Sequence, residues 1–128
     1  MSRQKRRILV VDDEPDMTLL FRMALESDSS FTVCTFNDPL VALSNFKADL
    51  YDLVILDIKM PKMDGLDLYQ EMKKIDGKVK ICFLTASEMY YEEFRKEAYC
   101  ALDKDMFLRK PIAIEELLEK VNTMISST

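Results

Sequence analysis

The sequence predicts an α/β fold in which a five-stranded parallel sheet lies between two layers of helices, a three-layer sandwich. Strand-like and helix-like patterns of apolar residues alternate along the chain, and only parallel strands need a helical crossover from each strand to the next. The predicted strands at 8–11 and 53–56 are apolar at every position. Such strands are buried on both faces, so helices must cover both sides of the sheet.

The first half of the chain contains two strands and two helices. The strand at 8–11 precedes a helix whose apolar residues recur at helical spacing: Met17, Leu20, Phe21, Ala24 and Leu25. Residues 31–36 alternate between apolar and polar side chains, which predicts a half-exposed edge strand. Asp38 suits a helix N-cap and Pro39 the first helical position, so a helix is expected from there to about residue 48.

The second half repeats the alternation. We predict a strand at 53–56 and a helix near 66–75, then a strand at 79–84 and a helix near 88–99. A last strand near 106–109 precedes a helix with one apolar face, formed by Ile114, Leu117, Leu118, Val121 and Ile125. The 128 residues predict one domain, with residues 1–6 as a basic tail and 7–126 as the folded unit.

Composition excludes several classes of function. The chain contains no histidine, which removes Ser-His-Asp and Cys-His catalysis, most zinc sites and a self-phosphorylating histidine kinase. No apolar run approaches the roughly 18 residues of a membrane span, and no signal-peptide pattern opens the chain. We therefore expect a cytoplasmic protein that does not insert into membranes.

Charge is distributed unevenly along the chain. Four basic residues open it, and because the net charge is −5, the remainder carries about −9. So acidic a body is a poor match for nucleic acid, and no direct nucleic-acid partner is expected. The four basic residues, Arg3, Lys5, Arg6 and Arg7, are interpreted as a solvated terminus.

Polar residues follow the predicted strands at the points where they end. Asp12 and Asp13 follow the first strand and Asp57 the third, while Thr85 follows the fourth and Lys110 the fifth. A lone carboxylate there is usually a cap or a turn residue. Because the carboxyl ends of parallel strands share one edge, the five side chains are expected to lie together, where α/β folds bind ligands.

This set of side chains suits a divalent cation and a phosphoryl group. Asp12, Asp13 and Asp57 offer the oxygen ligands that Mg2+ prefers and leave room for water and phosphoryl oxygens. With the cation screening an anionic donor, Asp57 would act as the nucleophile and form an acyl phosphate. Thr85 would donate a hydrogen bond to one phosphoryl oxygen, and Lys110 would bind another.

The chain resembles the response-regulator receiver domains of two-component signalling over nearly its whole length. The motifs that carry the resemblance are these five residues together with Met60, Pro61, Asp64, Gly65, Ala86 and Pro111. The resemblance implies a flavodoxin-like fold with strand order 2-1-3-4-5. It also implies that Asp57 is the phosphoacceptor, that Asp12 and Asp13 hold Mg2+ with the backbone carbonyl of Lys59, and that Thr85 and Lys110 bind the phosphoryl group. The implied partners are a sensor histidine kinase or phosphotransfer protein and a downstream effector protein or domain.

The resemblance further implies a conformational switch. After phosphorylation the hydroxyl of Thr85 moves toward the phosphoryl oxygen, and the aromatic side chain of Phe107 turns inward behind it. Partners would bind the predicted helix at 88–99, the last strand and the last helix. The segment 100–105 lacks the small Gly-Ala pair common in receivers, which makes the exit of the 88–99 helix atypical.

Three alternatives belong to other classes of protein. A Mg2+-dependent phosphohydrolase of the haloacid-dehalogenase type would need an Asp two residues after the nucleophile, where this chain has Lys59. A flavodoxin-like cofactor module would need a phosphate-binding loop after the first strand. A receiver-like scaffold that is not phosphorylated would not need the intact acceptor, acidic pair, hydroxyl and lysine. A signalling domain rather than an enzyme is therefore the favoured interpretation.

Overall fold

The computed structural model describes residues 5–85, 107–110 and 112–126. These residues form five strands, β1 Arg6–Val11, β2 Phe31–Phe36, β3 Leu53–Asp57, β4 Lys80–Thr85 and β5 Phe107–Arg109. They also form four helices, which we number α1 Pro15–Glu26, α2 Pro39–Ser44, α3 Gly65–Ile75 and α4 Ile114–Ser126. The predicted helix at 88–99 lies outside the described residues.

The strands form one parallel sheet in the order β2-β1-β3-β4-β5, which confirms the predicted topology. The register brings the carboxyl ends of the strands together: Val11 pairs with Leu56, Asp57 with Leu84, and Thr85 with Arg109. The loops that carry the candidate site residues therefore leave the sheet at one edge.

Successive residues of the central strands enter two separate cores, one on each face of the sheet. Leu9 and Val11 of β1 pack in one core, with residues from α2 and α3. Ile8 and Val10 pack in the other, with residues from α1 and α4. This alternation confirms the three-layer arrangement and explains why β1 and β3 carry apolar residues at consecutive positions.

Two residues of the apolar helix patterns seen in the sequence are not buried in the structure. Leu20 and Ile114 each keep 46% of their surface exposed. On α1 the buried position belongs instead to Thr18, which is 3% exposed. The Thr18 hydroxyl donates to the Pro15 carbonyl and accepts from the Asn37 amide, so its polar group is satisfied inside the protein.

Helix α2 is shorter than predicted, ending at Ser44 instead of near residue 48. Where the helix ends, the backbone N–H and the side-chain amide of Asn45 both donate to the carbonyl of Val41. The start of α2 is as predicted, with Asp38 accepting from the backbone N–H of Leu40.

Within the described ranges, no helix is long and apolar enough to cross a bilayer.

Candidate functional site

Three carboxylates meet at the carboxyl edge of the sheet. Asp57 is the last residue of β3, and Asp12 and Asp13 follow β1 directly. One oxygen from each lies within 4.8 Å of the others. Asp12 is fully buried and Asp57 is 6% exposed, whereas Asp13 lies between buried and exposed. The structure thus brings together the three acidic residues predicted from the sequence.

Lys110 supplies the positive charge of this site. Its Nζ lies 2.9 Å from Oδ2 of Asp12 and 3.6 Å from Oδ1 of Asp57. A third carboxylate, Glu14, approaches the same nitrogen at 3.7 Å from the solvent side. Glu14 was missed at the level of sequence, although it directly follows the acidic pair.

The protonation equilibria reflect this crowding. Burial raises the pKa of Asp57 to about 7, and the negative charge of Asp12 acts in the same direction, against the opposing effect of Lys110. Burial alone would lower the pKa of Lys110, but its hydrogen bond to Asp12 and the charge of Asp57 outweigh burial and raise that pKa. Burial first, and repulsion from the neighbouring carboxylates second, therefore favour the protonated form of Asp57.

The donor set fits a hard cation. Carboxylate oxygens are the ligands preferred by Mg2+ and Ca2+, and the three aspartates present such oxygens close together. A bound cation would also offset the repulsion that raises the pKa of Asp57. Asp12, Asp13 and Asp57 can therefore hold a metal ion.

The loop after β3 fixes the backbone of Asp57. Asp64 caps α3 by accepting from the N–H of Asp67 at 2.9 Å, and the N–H of Gly65 donates to the carbonyl of Ile58 at 2.8 Å. A Cβ at position 65 would lie 2.6 Å from the carbonyl oxygen of Asp57. Glycine is required here for this close approach of two backbones.

The remaining predicted site residues are placed unequally by the structure. Thr85 was expected to follow the fourth strand, but it is the last residue of β4. Its side chain lies outside the described part of the molecule. Phe107 is 9% exposed and its ring stacks on Phe83 with centroids 5.3 Å apart. The side chain of Lys59 is exposed.

Comparison with protein families gives a match over residues 8–122 to the response regulator receiver domain. The chain is 32% identical over 120 residues to the alkaline phosphatase synthesis transcriptional regulatory protein PhoP of Bacillus subtilis, covering 94% of this chain and 48% of PhoP. It is 33% identical over 122 residues to the response regulator MprA of Mycobacterium ulcerans, covering 95% of this chain and 51% of MprA. The chain thus spans about half the length of these relatives.

Solved structures give the same result. A response regulator receiver domain protein from Clostridium thermocellum is 29% identical, with a TM-score of 0.76 and 94% of each chain covered. The non-phosphorylated HemR receiver domain from Leptospira biflexa is 28% identical, with a TM-score of 0.79 and 97% of each chain covered. Together with the acidic site and Lys110, these similarities show that the chain belongs to the family of response regulator receiver domains of two-component signalling.

Proposed function

We propose that this receiver domain accepts a phosphoryl group on Asp57 with the help of Mg2+. The observation that carries the proposal is the cluster of Asp12, Asp13 and Asp57, whose oxygens lie within 4.8 Å of one another beside the ammonium of Lys110. Residues 7–126 are proposed as the receiver unit, although the first strand already includes Arg6.

The transfer needs one nucleophile and several groups that stabilise charge. An oxygen of ionised Asp57 attacks phosphorus, and the bond from phosphorus to the donor atom breaks. The rest of the donor departs as the leaving group and takes up a proton from solvent where it needs one. Asp12, Asp13 and Asp57 would hold Mg2+, with the backbone carbonyl of Lys59 as a further ligand. Bound Mg2+ supplies charge neutralisation for the incoming phosphoryl oxygens.

Lys110 has a second part in this reaction. Its ammonium lies 3.6 Å from Asp57 Oδ1 and is 14% exposed, so a small rotation brings it to an oxygen of a phosphoryl group on Asp57. The hydroxyl of Thr85 is proposed to donate to another phosphoryl oxygen. These groups would stabilise the product that Asp57 carries.

The switch is proposed to use Thr85 and Phe107. Phe107 is buried against Phe83, which in turn meets the ring of Tyr69 edge-on with centroids 5.5 Å apart. Since Thr85 and Phe107 lie on adjacent strands, movement of the Thr85 hydroxyl toward the phosphoryl group would change the space beside Phe107. The packing of Phe107 would then report the state of Asp57 to the surface.

The phosphodonor is proposed to be a cytoplasmic histidine kinase or phosphotransfer protein, and the output a downstream effector protein or domain. Neither nucleic acid nor a membrane is proposed as a direct partner. Helix α1 begins two residues after the acidic pair and exposes three apolar side chains, Leu19, Leu20 and Met23, at 57%, 46% and 65%. A donor protein bound there would contact apolar surface on the helix that follows the acidic pair.

The proposal is tested with a small phosphodonor. Incubation with acetyl phosphate and Mg2+ should add one phosphoryl mass, about 80 Da, which hydroxylamine removes as expected for an acyl phosphate. Asp57→Asn should take up none, while Asp67→Asn, an exposed carboxylate on α3, should be labelled like the wild type. Undiminished labelling of Asp57→Asn would refute the assignment.

A further inference from the structure

We propose that the turn between β2 and α2, residues Asn37 and Asp38, positions both loops that form the metal and phosphoryl site. Asn37 holds the loop of Asp12, and Asp38 holds the loop that follows Asp57. Neither residue was among the predicted site residues. The inference rests on the proposed function, because it assigns the turn a role in Mg2+ binding and phosphoryl transfer.

Asn37 acts on the backbone of Asp12. Its amide nitrogen donates to the carbonyl oxygen of Asp12 at 2.9 Å. The N–H of Asp12 donates at 3.2 Å to the carbonyl of Phe36, the last residue of β2, so Phe36 and Asn37 together hold Asp12 on both sides of its Cα. The direction of the Asp12 side chain is thereby restricted.

The amide of Asn37 is itself fixed by α1. The same nitrogen donates to Oγ1 of Thr18 at 3.0 Å, and that hydroxyl donates to the carbonyl of Pro15 at 3.0 Å. Both hydrogens of the Asn37 amide are therefore used, and Thr18, at 3% exposed, cannot exchange its partner for water. The burial of a threonine on α1 is explained by this network.

Asp38 acts on the loop between β3 and α3. Its Oδ2 accepts from Nζ of Lys62 at 2.7 Å, while its Oδ1 accepts from the N–H of Leu40 at 2.9 Å. Lys62 has a φ of 72°, a left-handed conformation that is unfavourable for lysine. The ion pair favours this conformation of Lys62. Lys62 lies midway in the loop between Lys59, a proposed carbonyl ligand, and Gly65.

This positioning matters because Mg2+ requires nearly ideal octahedral geometry. Groups that hold metal ligands in place typically change metal affinity by about 10- to 100-fold in buried sites. We expect a smaller effect here, since a hydrated ion retains water ligands that can adapt. The part-buried hydrogen bonds of Asn37 to Asp12 and Thr18 should matter more than the exposed ion pair of Asp38 and Lys62.

The first test replaces Asn37. Asn37→Ala should weaken Mg2+ binding about 5- to 10-fold by calorimetry, and Asn37→Gln, which keeps the amide, should recover part of the loss. Asn45→Ala is the matched control, because Asn45 also donates to a backbone carbonyl but at the far end of α2. Unfolding in urea, measured without Mg2+, shows the purely structural effect of each change.

The second test replaces the exposed pair and does not endanger folding. Asp38→Asn keeps the acceptor that caps α2 but loses the charge, and Lys62→Met keeps the length of the side chain. Each should lower Mg2+ affinity and the initial rate with acetyl phosphate about two-fold at low salt. The double variant should lose no more than either single variant, and Lys74→Met, which removes an exposed ion pair on α3, should lose nothing.

The outcomes separate this inference from the proposed function. If the wild type neither binds Mg2+ nor takes up a phosphoryl group, the proposed function fails. If the wild type does both, and the Asn37 and Asp38 variants keep wild-type Mg2+ affinity and rate while differing only in unfolding free energy, the turn is merely structural. Weakened Mg2+ binding in these variants beside unchanged Asn45→Ala and Lys74→Met controls supports the inference.

Discussion

The ammonium of Lys110 lies 2.9 Å from Oδ2 of Asp12, so this positive charge is held more closely by Asp12 than by the proposed phosphoacceptor. Asp57 lies farther away, at 3.6 Å. Lys110 therefore binds one of the three carboxylates that could hold a metal ion. Binding of a cation and movement of Lys110 toward a phosphoryl group on Asp57 should accompany each other.

Lys110→Met tests this competition. Removing a cation that contacts Asp12 should tighten Mg2+ binding to the unphosphorylated domain, about 10-fold at low ionic strength. Phosphorylation by acetyl phosphate should nevertheless become slower, because the phosphoryl group loses a partner. Calorimetry and intact mass measure the two effects, with Lys80→Met at the opposite edge of the sheet as the control. Weaker Mg2+ binding in Lys110→Met would contradict competition for Asp12.

The raised pKa of Asp57 predicts a pH-dependent stability. The pKa is about 7 in the folded protein and about 3.9 in an unfolded chain, so folding favours the protonated carboxyl. The contribution of Asp57 to the free energy of unfolding is complete below about pH 4 and is lost as the pH rises through 7. In metal-free buffer, Asp57→Asn should therefore exceed the wild type in unfolding free energy by on the order of 2–4 kcal/mol at pH 8, and by about 1 kcal/mol or less near pH 4.5. A gap that does not change between these pH values would count against the burial of an ionised Asp57.

Gly65→Ala should damage both fold and site. Its Cβ would meet the carbonyl oxygen of Asp57 at 2.6 Å and Cα of Ile58 at 2.9 Å, so the backbone beside the phosphoacceptor must move. We expect a loss of about 1–3 kcal/mol in unfolding free energy and slower phosphorylation. Gly77→Ala is the control, since its Cβ would meet only the Lys73 carbonyl at 3.9 Å and should change stability by less than about 0.5 kcal/mol. Equal effects of the two changes would disprove the steric argument.

Lys59 is expected to protect the phosphorylated state. It lies two residues beyond Asp57 with an exposed side chain, which can cover the path of an attacking water. We predict a lifetime of minutes or longer, shortened roughly two- to five-fold in Lys59→Ala by readier access of water. The lifetime is measured from the rate of phosphate release after removal of the donor, with Lys74→Ala as the control. A slower or unchanged rate in Lys59→Ala would exclude shielding. Ser87, two residues beyond Thr85, is predicted from the sequence to flank the phosphoryl group without positioning a water, and it lies outside the described residues.

The fold could be predicted because its signals are local and repeated. Apolar runs such as that ending at Asp57 predict buried parallel strands, and Asp38 with Pro39 marks the start of α2. The end of α2 at Ser44 could not be predicted, because no glycine or proline marks it in the sequence. The burial of Thr18 on α1 could not be predicted either, because it depends on the hydrogen bond from Asn37 to Thr18.

The candidate site divides in the same way. Strand ends bring Asp12, Asp57 and Lys110 together in any parallel sheet of this order, so their meeting could be foreseen. Lys110 is closer to Asp12 than to Asp57 by less than 1 Å, and sequence patterns do not encode so small a difference. The contacts of Asn37 and Asp38 depend on the path of loops and have no periodic signal.

Reduction of the phosphorylated domain with borohydride tests the central claim most directly. Borohydride cleaves an acyl phosphate and converts the aspartate that carried it to homoserine, which peptide mass spectrometry locates in the chain. After treatment with acetyl phosphate and Mg2+, the account predicts homoserine at position 57 and none at positions 12 or 13. Homoserine at either of those two positions, or none in a chain that carries phosphate, would contradict the assignment of Asp57 as the phosphoacceptor.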